Sequence, residues 1–580
     1  MRIKLAYIGG GSKLWARTFM TDLALSNDLE GEVGLFDIDI ESAIRNQQIG
    51  NRIKNHPKAI SKFDYVVYEN IDDCLKSADF VVISILPGTL KEMYSDVHTP
   101  EMYGIYQSVG DTAGPGGVIR SIRTVPMYEY FAKKIEEICP NAWVINFTNP
   151  MSICVKTLYD EFPGIKAFGC CHELFHAQTF LCKVLEEEKG IKVGRKDIFT
   201  DASGVNHFTW ITEAKYQDID LLSLIPNFSS KFYKDGYYEY ADRFQFTYDP
   251  FAYGNKVKMD LFSRYGALAA AGDRHLAEFC NNKWYLGSPE EVKDWKFNLT
   301  TVDFRIKQQN ERIEESILLA SGEKEIELKP SGEEAVDLIK AILGMGDIIS
   351  NVNMPNNGQM SQLPIGSIVE TNCLFSKNKV EPIKSKDLPL GVLNLVYQAS
   401  NNIDTLYQGI KERNLEVVFS SFMNQALCSN LSIIDGKKLF TEMLNNTKEY
   451  FNLKEYFVKA DNNEVKDRWK ETEAYKEHIE KTKNYSKDKW NNLSDQMNEI
   501  FKEFSICIKN GKATNDDEVQ QLVKKLQDFI TQNYYNCTNE ILRGLGQMYV
   551  EDERFRNNIN KNGDCTAEFV SEAIKLYCKR

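Results

Sequence analysis

The chain of 580 residues contains no run of about 18 apolar residues, so the sequence predicts no membrane-spanning helix. The sequence predicts no export signal either, because the opening MRIKLAYIGGGSKLW has only a short apolar run broken by glycines. Positive charge is in deficit: 70 Lys and Arg stand against 83 Asp and Glu, a net charge of −13. That balance argues against broad binding to nucleic acid or to an anionic membrane, although one local basic pocket remains compatible with it. A disulfide framework is also lacking. The 13 cysteines are scattered, apart from Cys170-Cys171, and read as reduced thiols, most of them small core residues. These absences predict a cytoplasmic protein.

No internal repeat or low-complexity tract is visible either, and 43% hydrophobic residues can fill cores without covalent staples. The length exceeds one comfortable core, which predicts two or three domains. The first, residues 1–200, alternates short β-branched or aromatic runs (IKLAYIG, VGLFDID, YVVYE, FVVISIL, AWVINFT, KAFGCC) with amphipathic stretches such as 41–54 and 126–138. Strands alternating with helices predict an α/β fold with a doubly wound, mostly parallel sheet. The second, 201–457, reads as mixed α/β with long helices around 259–279, 333–350 and 389–413. The third, 458–580, is helical throughout, rich in Lys, Glu and Asn.

The glycine cluster of IKLAYIGGGSKL follows the first strand directly. Gly9 would permit the tight turn, Gly11 would let backbone approach a pyrophosphate, and Ser12 with the first helical amides would bind its charge. Leu14 stands where the usual pattern has its third glycine. Asp37, ending VGLFDID, is placed to accept from ribose hydroxyls and would repel a 2′-phosphate, which favours NAD over NADP. An ordinary strand–helix turn remains the alternative on these residues alone.

Four further segments concentrate reactive side chains. They are GDTAGPGGVIRSIRT with Asp111, Arg120 and Arg123; NFTNPMS with Asn146 and Asn149; GCCHEL with Cys171, His172 and Glu173; and GVNHFTW with Asn206 and His207. Three of the four follow strand-like runs, and carboxyl ends of strands in an open α/β sheet are where ligands bind. The thiolate of Cys171 and the imidazole of His207 suit a borderline divalent ion, but their spacing does not by itself specify a metal site.

In this order the segments, with LPIGSIVE later on, resemble the NAD-dependent glycoside hydrolases of family 4 over residues 1 to about 455. The resemblance implies a Rossmann-type NAD-binding domain followed by a catalytic and oligomerisation domain, in a homodimer or homotetramer. It implies NAD and a divalent metal, usually Mn2+, and a family that departs from two-carboxylate hydrolysis. The sugar is oxidised at C3, deprotonated at C2, relieved of its aglycone, hydrated and re-reduced. Position by position, Cys171 and His207 match the metal ligands, Asn149 a substrate-region asparagine, and Gly9, Gly11, Ser12 and Asp37 the nucleotide site. Asp111 matches an aspartate considered for proton transfer, and Tyr265 is put forward as the second such group. His172 and Glu173 after the metal cysteine resemble the branch active on α-linked galacturonides, and Arg274 is put forward to bind the uronate carboxylate. Other substrates of the same family (α-glucuronides, α-galactosides, α-glucosides) remain alternatives. So do a dehydrogenase and a ligand sensor with a degenerate hydrolase half.

Residues 458–580 resemble the TipAS antibiotic-recognition domain through Arg468-Trp469, TEAY, NYYNCTNEILRGLG and MYVEDERF. The resemblance implies an all-α, globin-like domain that takes bulky apolar antibiotics, and Cys537 lies where some members capture a ligand covalently. No helix-turn-helix precedes it, so a nucleic-acid partner is not expected.

Overall fold

The structure, a computed structural model, describes residues 1–238, 249–450, 473–483, 485, 487–551 and 553–579. The chain forms two compact units, Met1–Tyr456 and Phe457–Arg580. The expected boundary at 457/458 and the Arg468-Trp469 pair lie outside the described residues.

One 13-stranded sheet runs through the first unit. Its parallel half comprises β1 (Arg2–Ile8), β2 (Glu30–Phe36), β3 (Lys62–Tyr68), β4 (Phe80–Ile83), β5 (Trp143–Asn146) and β6 (Lys166–Gly169). The spatial order is β3-β2-β1-β4-β5-β6, all neighbours parallel, so the chain reverses its winding between β1 and β4. Both faces are covered, which is why β4 reads as an unbroken apolar run: Phe80, Val81, Val82 and Ile83 are all buried.

Beyond β6 the sheet turns antiparallel. β7 (Phe199–Val205), β8 (Phe208–Tyr216), β9 (Ile219–Asp220), β10 (Leu268–Ala269), β11 (Ile348–Pro355), β12 (Ile368–Ser376) and β13 (Lys379–Pro382) complete it, with β11 pairing onto β6. The segments expected as separate domains, 1–200 and 201–457, thus share one sheet.

Two of the three long helices expected here are shorter. Over 259–279 the chain forms a helix Lys256–Tyr265, then β10, then a helix Asp273–Glu278. Gly266 ends the first in the left-handed region at φ +71°, and the alanine-rich stretch after it is captured by the edge of β8. Helical propensity of alanine yields to tertiary pairing there. Likewise 333–350 divides into a helix Ala335–Ile342 and the start of β11, while 389–413 is the single helix Leu390–Lys411.

The second unit is helical in its described residues, with helices Glu473–Thr482, Lys487–Lys509, Asp517–Asn533, Asn539–Glu551, Glu553–Asn560 and Thr566–Tyr577. Phe501, Phe504, Val523, Leu526, Leu542 and Val570 form its core.

Candidate active site

At the point where the winding reverses, Gly9 sits at φ +94°, and a Cβ there would lie 2.0 Å from the carbonyl oxygen of Ser84. Only glycine fits this approach of the loop to the end of β4. The Asp37 carboxylate accepts from the Gly11 amide (2.8 Å) and from the Asp39 amide (2.8 Å), so it ties the glycine loop to the end of β2. The Gly11 N–H therefore points to Asp37, a carboxylate with lone pairs left for further donors. The Ser12 hydroxyl accepts from the Trp15 amide and opens the helix Trp15–Leu25.

The strands beyond bring their carboxyl ends to the same edge. β5 leads to Asn149, and β6 leads to Cys171, His172 and Glu173. Between β7 and β8 the two-residue turn Asn206-His207 holds His207 at φ +63°. Glycine or asparagine would take that conformation at lower cost, and a histidine retained there marks the imidazole as the point of the turn. The helix Gly114–Ile138 starts next to it. Gly117 is packed so closely that a Cβ would lie 2.3 Å from the Thr112 carbonyl, which brings the loop carrying Asp111 against the helix.

Asp111, His207 and His275 converge, each offering a ligand atom within 4.8 Å of the others. The two imidazoles lie 3.8 Å apart by ring centroid. The Thr112 hydroxyl bridges the Asp111 carboxylate (2.7 Å) and His207 Nδ1 (3.2 Å). Burial opposes ionisation of Asp111, yet Arg120 and the two imidazoles outweigh it and hold the carboxyl below its usual range. Burial pushes His207 down, and burial with the neighbouring His207 pushes His275 down to about 3. The group therefore presents one carboxylate and two neutral imidazoles, a donor set that suits a divalent cation.

Around it, Glu173 accepts from the Gly272 amide (2.6 Å) and lies 3.6 Å from His275 Nε2 and 3.9 Å from His172 Nε2. Cys171 is buried outside the three-residue group. Burial, then Glu370 and Glu173, push its thiol well above the usual range. A bound divalent cation would oppose that and favour the thiolate. Asn149 Oδ1 and Asn206 Nδ2 are buried without a hydrogen-bond partner, and such orphans at a site edge fit an incoming ligand. The Asn149 carbonyl accepts from Arg120 Nε (3.1 Å).

Two sequence expectations meet other surroundings. Tyr265 packs edge-on against Trp210 at 5.9 Å, and its charged neighbours are Arg264 and Asp260 rather than the Asp111 group. Arg274 is buried, donates to the Ser108 carbonyl and the Thr300 hydroxyl, and lies over the Phe251 ring at 4.9 Å. Sequence reasoning missed His275, Tyr253 and Arg305. Tyr253 brings its hydroxyl 3.5 Å from His176 Nδ1, and His176 lies 5.0 Å from the His172 ring. A usable signal existed: of only seven histidines, His172, His176, His207 and His275 gather here.

In the second unit Cys537 is 3% exposed, and burial pushes its thiol up to about 11. Its amide donates to the Thr531 hydroxyl and its carbonyl accepts from Gln527, as a packed structural residue would.

The family 4 glycosyl hydrolase profile matches residues 4–187, and that of the family's C-terminal domain matches 202–428. The TipAS antibiotic-recognition domain profile matches 462–577. The chain is 50% identical over 448 residues to an α-galacturonidase of Thermoanaerobacter italicus, covering 77% of this chain and 97% of that one. Identity to an α-galacturonidase of Bacillus subtilis is 44% over 444 residues, covering 76% and 97%. A B. subtilis glucosidase crystal structure superposes with TM-score 0.72 at 43% identity, covering 77% of this chain and 100% of that one. A 6-phospho-α-glucosidase from gut microorganisms, solved with NAD and Mn2+, shares the fold with TM-score 0.65 at 19% identity, covering 78% and 99%. The chain therefore belongs to family 4 of the glycosyl hydrolases, as an α-glycosidase carrying a TipAS antibiotic-recognition domain at residues 462–577.

Proposed function

We propose that the first unit hydrolyses α-linked galacturonides by redox-assisted elimination, using NAD and a divalent ion such as Mn2+. The observation that carries this is the convergence of Asp111, His207 and His275 on the strand edge that also holds the glycine loop. Identity of 44–50% to α-galacturonidases supports the choice of sugar. When bound, NAD would accept a hydride from C3 and the divalent ion would draw charge from the C2 and C3 oxygens.

The chain's own residues do the rest. The Gly9–Ser12 loop with Asp37 holds the dinucleotide. Asp111, His207 and His275 hold the ion, with Cys171 as a further ligand. Asp111, ionised and shared with two imidazoles, serves better as ligand than as proton donor. Asn149, His172 and Glu173 orient the sugar. Tyr253, once its hydroxyl proton has passed to His176 Nδ1, takes the C2 proton at its phenolate oxygen, a role its position suits better than that of Tyr265. The second unit acts as a binding module for a bulky apolar ligand, held without a covalent bond to Cys537.

The test is hydrolysis of aryl α-galacturonide, α-glucuronide and α-galactoside with NAD and Mn2+, with and without chelator. The galacturonide should be cleaved fastest, chelation should abolish cleavage, and free NADH should not accumulate. Stoichiometric NADH would make the chain a dehydrogenase. A faster glucuronide or galactoside would move the substrate. No turnover on any glycoside, with tight antibiotic binding, would make it a sensor.

A further inference from the structure

The side chain of Arg305, in the first turns of the helix Val302–Ser321, makes no hydrogen bond or ion pair among the described residues. Its Nε is buried without a partner although the residue as a whole is only half-buried. A guanidinium carries five donors in a planar fork, and leaving them unmatched at a partly dry site costs stability unless something else accepts.

Its position is defined on two sides. Arg305 lies over the Phe251 ring at 5.9 Å, and Arg274 lies over the same ring at 4.9 Å. The Thr300 amide donates to the Ser108 carbonyl (3.3 Å), which ties the start of this helix to the loop that carries Asp111. Among nearby charges, Asp111 and Glu278 attract the Arg305 cation and Arg120 repels it. Neither carboxylate is bonded to it. Asp111 is bonded by Thr112, and Glu278 Oε1 accepts from the Val109 (2.7 Å) and Gly110 (2.9 Å) amides.

The two arginines differ in what they have left to give. The Arg274 Nε is likewise buried without a partner, but its Nη2 donates to both Ser108 and Thr300 and it is one residue from His275, so it braces the cluster. Arg305 has its whole fork available. We infer that Arg305, rather than Arg274, is the specificity residue that receives the anionic group of the substrate, the C6 carboxylate of the sugar. A carboxylate matches the fork with two parallel hydrogen bonds, whereas the C6 hydroxyl of a neutral hexose offers one acceptor and no charge. The inference rests on the uronide reading above, and places Arg274 as a positioning residue.

The test compares the full-length enzyme with R305Q and R305K, after thermal melts show that all are folded. For R305Q, the ratio of kcat/KM on aryl α-galacturonide to kcat/KM on aryl α-galactoside should fall by about a hundredfold. R305K, which keeps charge and loses the fork, should fall between. An equal fall on both substrates, or no fall on either, overturns the inference. Calorimetric binding of free galacturonate and galactose reads Arg305 without turnover. Galacturonate should bind R305Q roughly tenfold or more weakly than it binds the wild type. Equal Kd values, or no galacturonate binding by the wild type, overturn the inference. A wild type that prefers the galactoside refutes the uronide reading alone, and the galacturonate Kd values then decide Arg305.

Discussion

The two units bury different things. Among the described residues, the first buries Glu92, Asp96, Arg120, Arg123, Glu173, Lys258, Asp273, Arg274, Glu278, Glu334 and Glu370 in addition to its apolar cores. Among its described residues the second buries only neutral polar groups: Thr482, Ser505, Gln520, Gln527 and Thr566. Burying a charge is costly unless it is paired, hydrogen-bonded or met by a ligand. Part of the first unit's buried charge is structural, as in the ion pair of Arg123 with Asp96. Arg120, Glu173, Arg274 and Glu278 lie about the Asp111 group, where two buried asparagine atoms and the Arg305 side chain still lack partners. Buried charge is concentrated in one unit, and the other has an apolar helical interior.

That contrast can be broken most sharply at the metal group. Asp111→Asn keeps the shape and removes the charge. It should lower galacturonide turnover by about a thousandfold, with Mn2+ affinity weakened in a calorimetric titration. Turnover within threefold of wild type would remove Asp111 from the site. Next in size is the glycine loop. Gly9→Ala forces a methyl onto the Ser84 carbonyl in left-handed backbone, and should destabilise the first unit by about 3 kcal/mol in urea unfolding.

A pH effect comes third. Burial pushes Glu278 up from 4.5 to about 7. The folded state holds that proton more tightly than the unfolded chain. Its contribution to stability is therefore full below pH 4.5 and is lost as pH rises through about 7. Glu278→Gln keeps an acceptor for the Val109 and Gly110 amides but cannot titrate. Between pH 5 and 7.5 its unfolding free energy should fall less than that of the wild type, by roughly 2 kcal/mol. Parallel curves from urea unfolding would contradict the assignment. The smallest effect belongs to the second unit. Cys537→Ala should cost about 1 kcal/mol of stability and leave galacturonide turnover unchanged. In the native chain an alkylating reagent should reach the exposed Cys565 well before Cys537.

How much was legible in sequence follows the same division of buried charge. The parallel half is buried on both faces, so its strands announce themselves as apolar runs, and Gly9 and Asp37 sit at the strand ends where the motif places them. β11 and β12 were harder. IISNVNMP and IVETNCLFS carry Asn351, Asn353, Glu370 and Thr371 into the interior, so neither has the periodicity of a strand with one wet face. His275 was hidden because its alanine-rich surroundings read as continuous helix. Arg305 has no motif at all; only packing against Phe251 and the lack of a side-chain partner among the described residues single it out. Tyr265 and Tyr253 are indistinguishable by residue type, and the contact with His176 separates them.

The central claim is that this strand-edge cluster cleaves a galacturonide by removing the C2 proton rather than by direct displacement at C1. Hydrolysis of an aryl α-galacturonide in D2O with NAD and Mn2+ tests it most directly, read as deuterium at C2 of the released galacturonate. The account predicts solvent deuterium at C2 in the product of each turnover. Hydrolysis at full rate with only protium at C2 would contradict it.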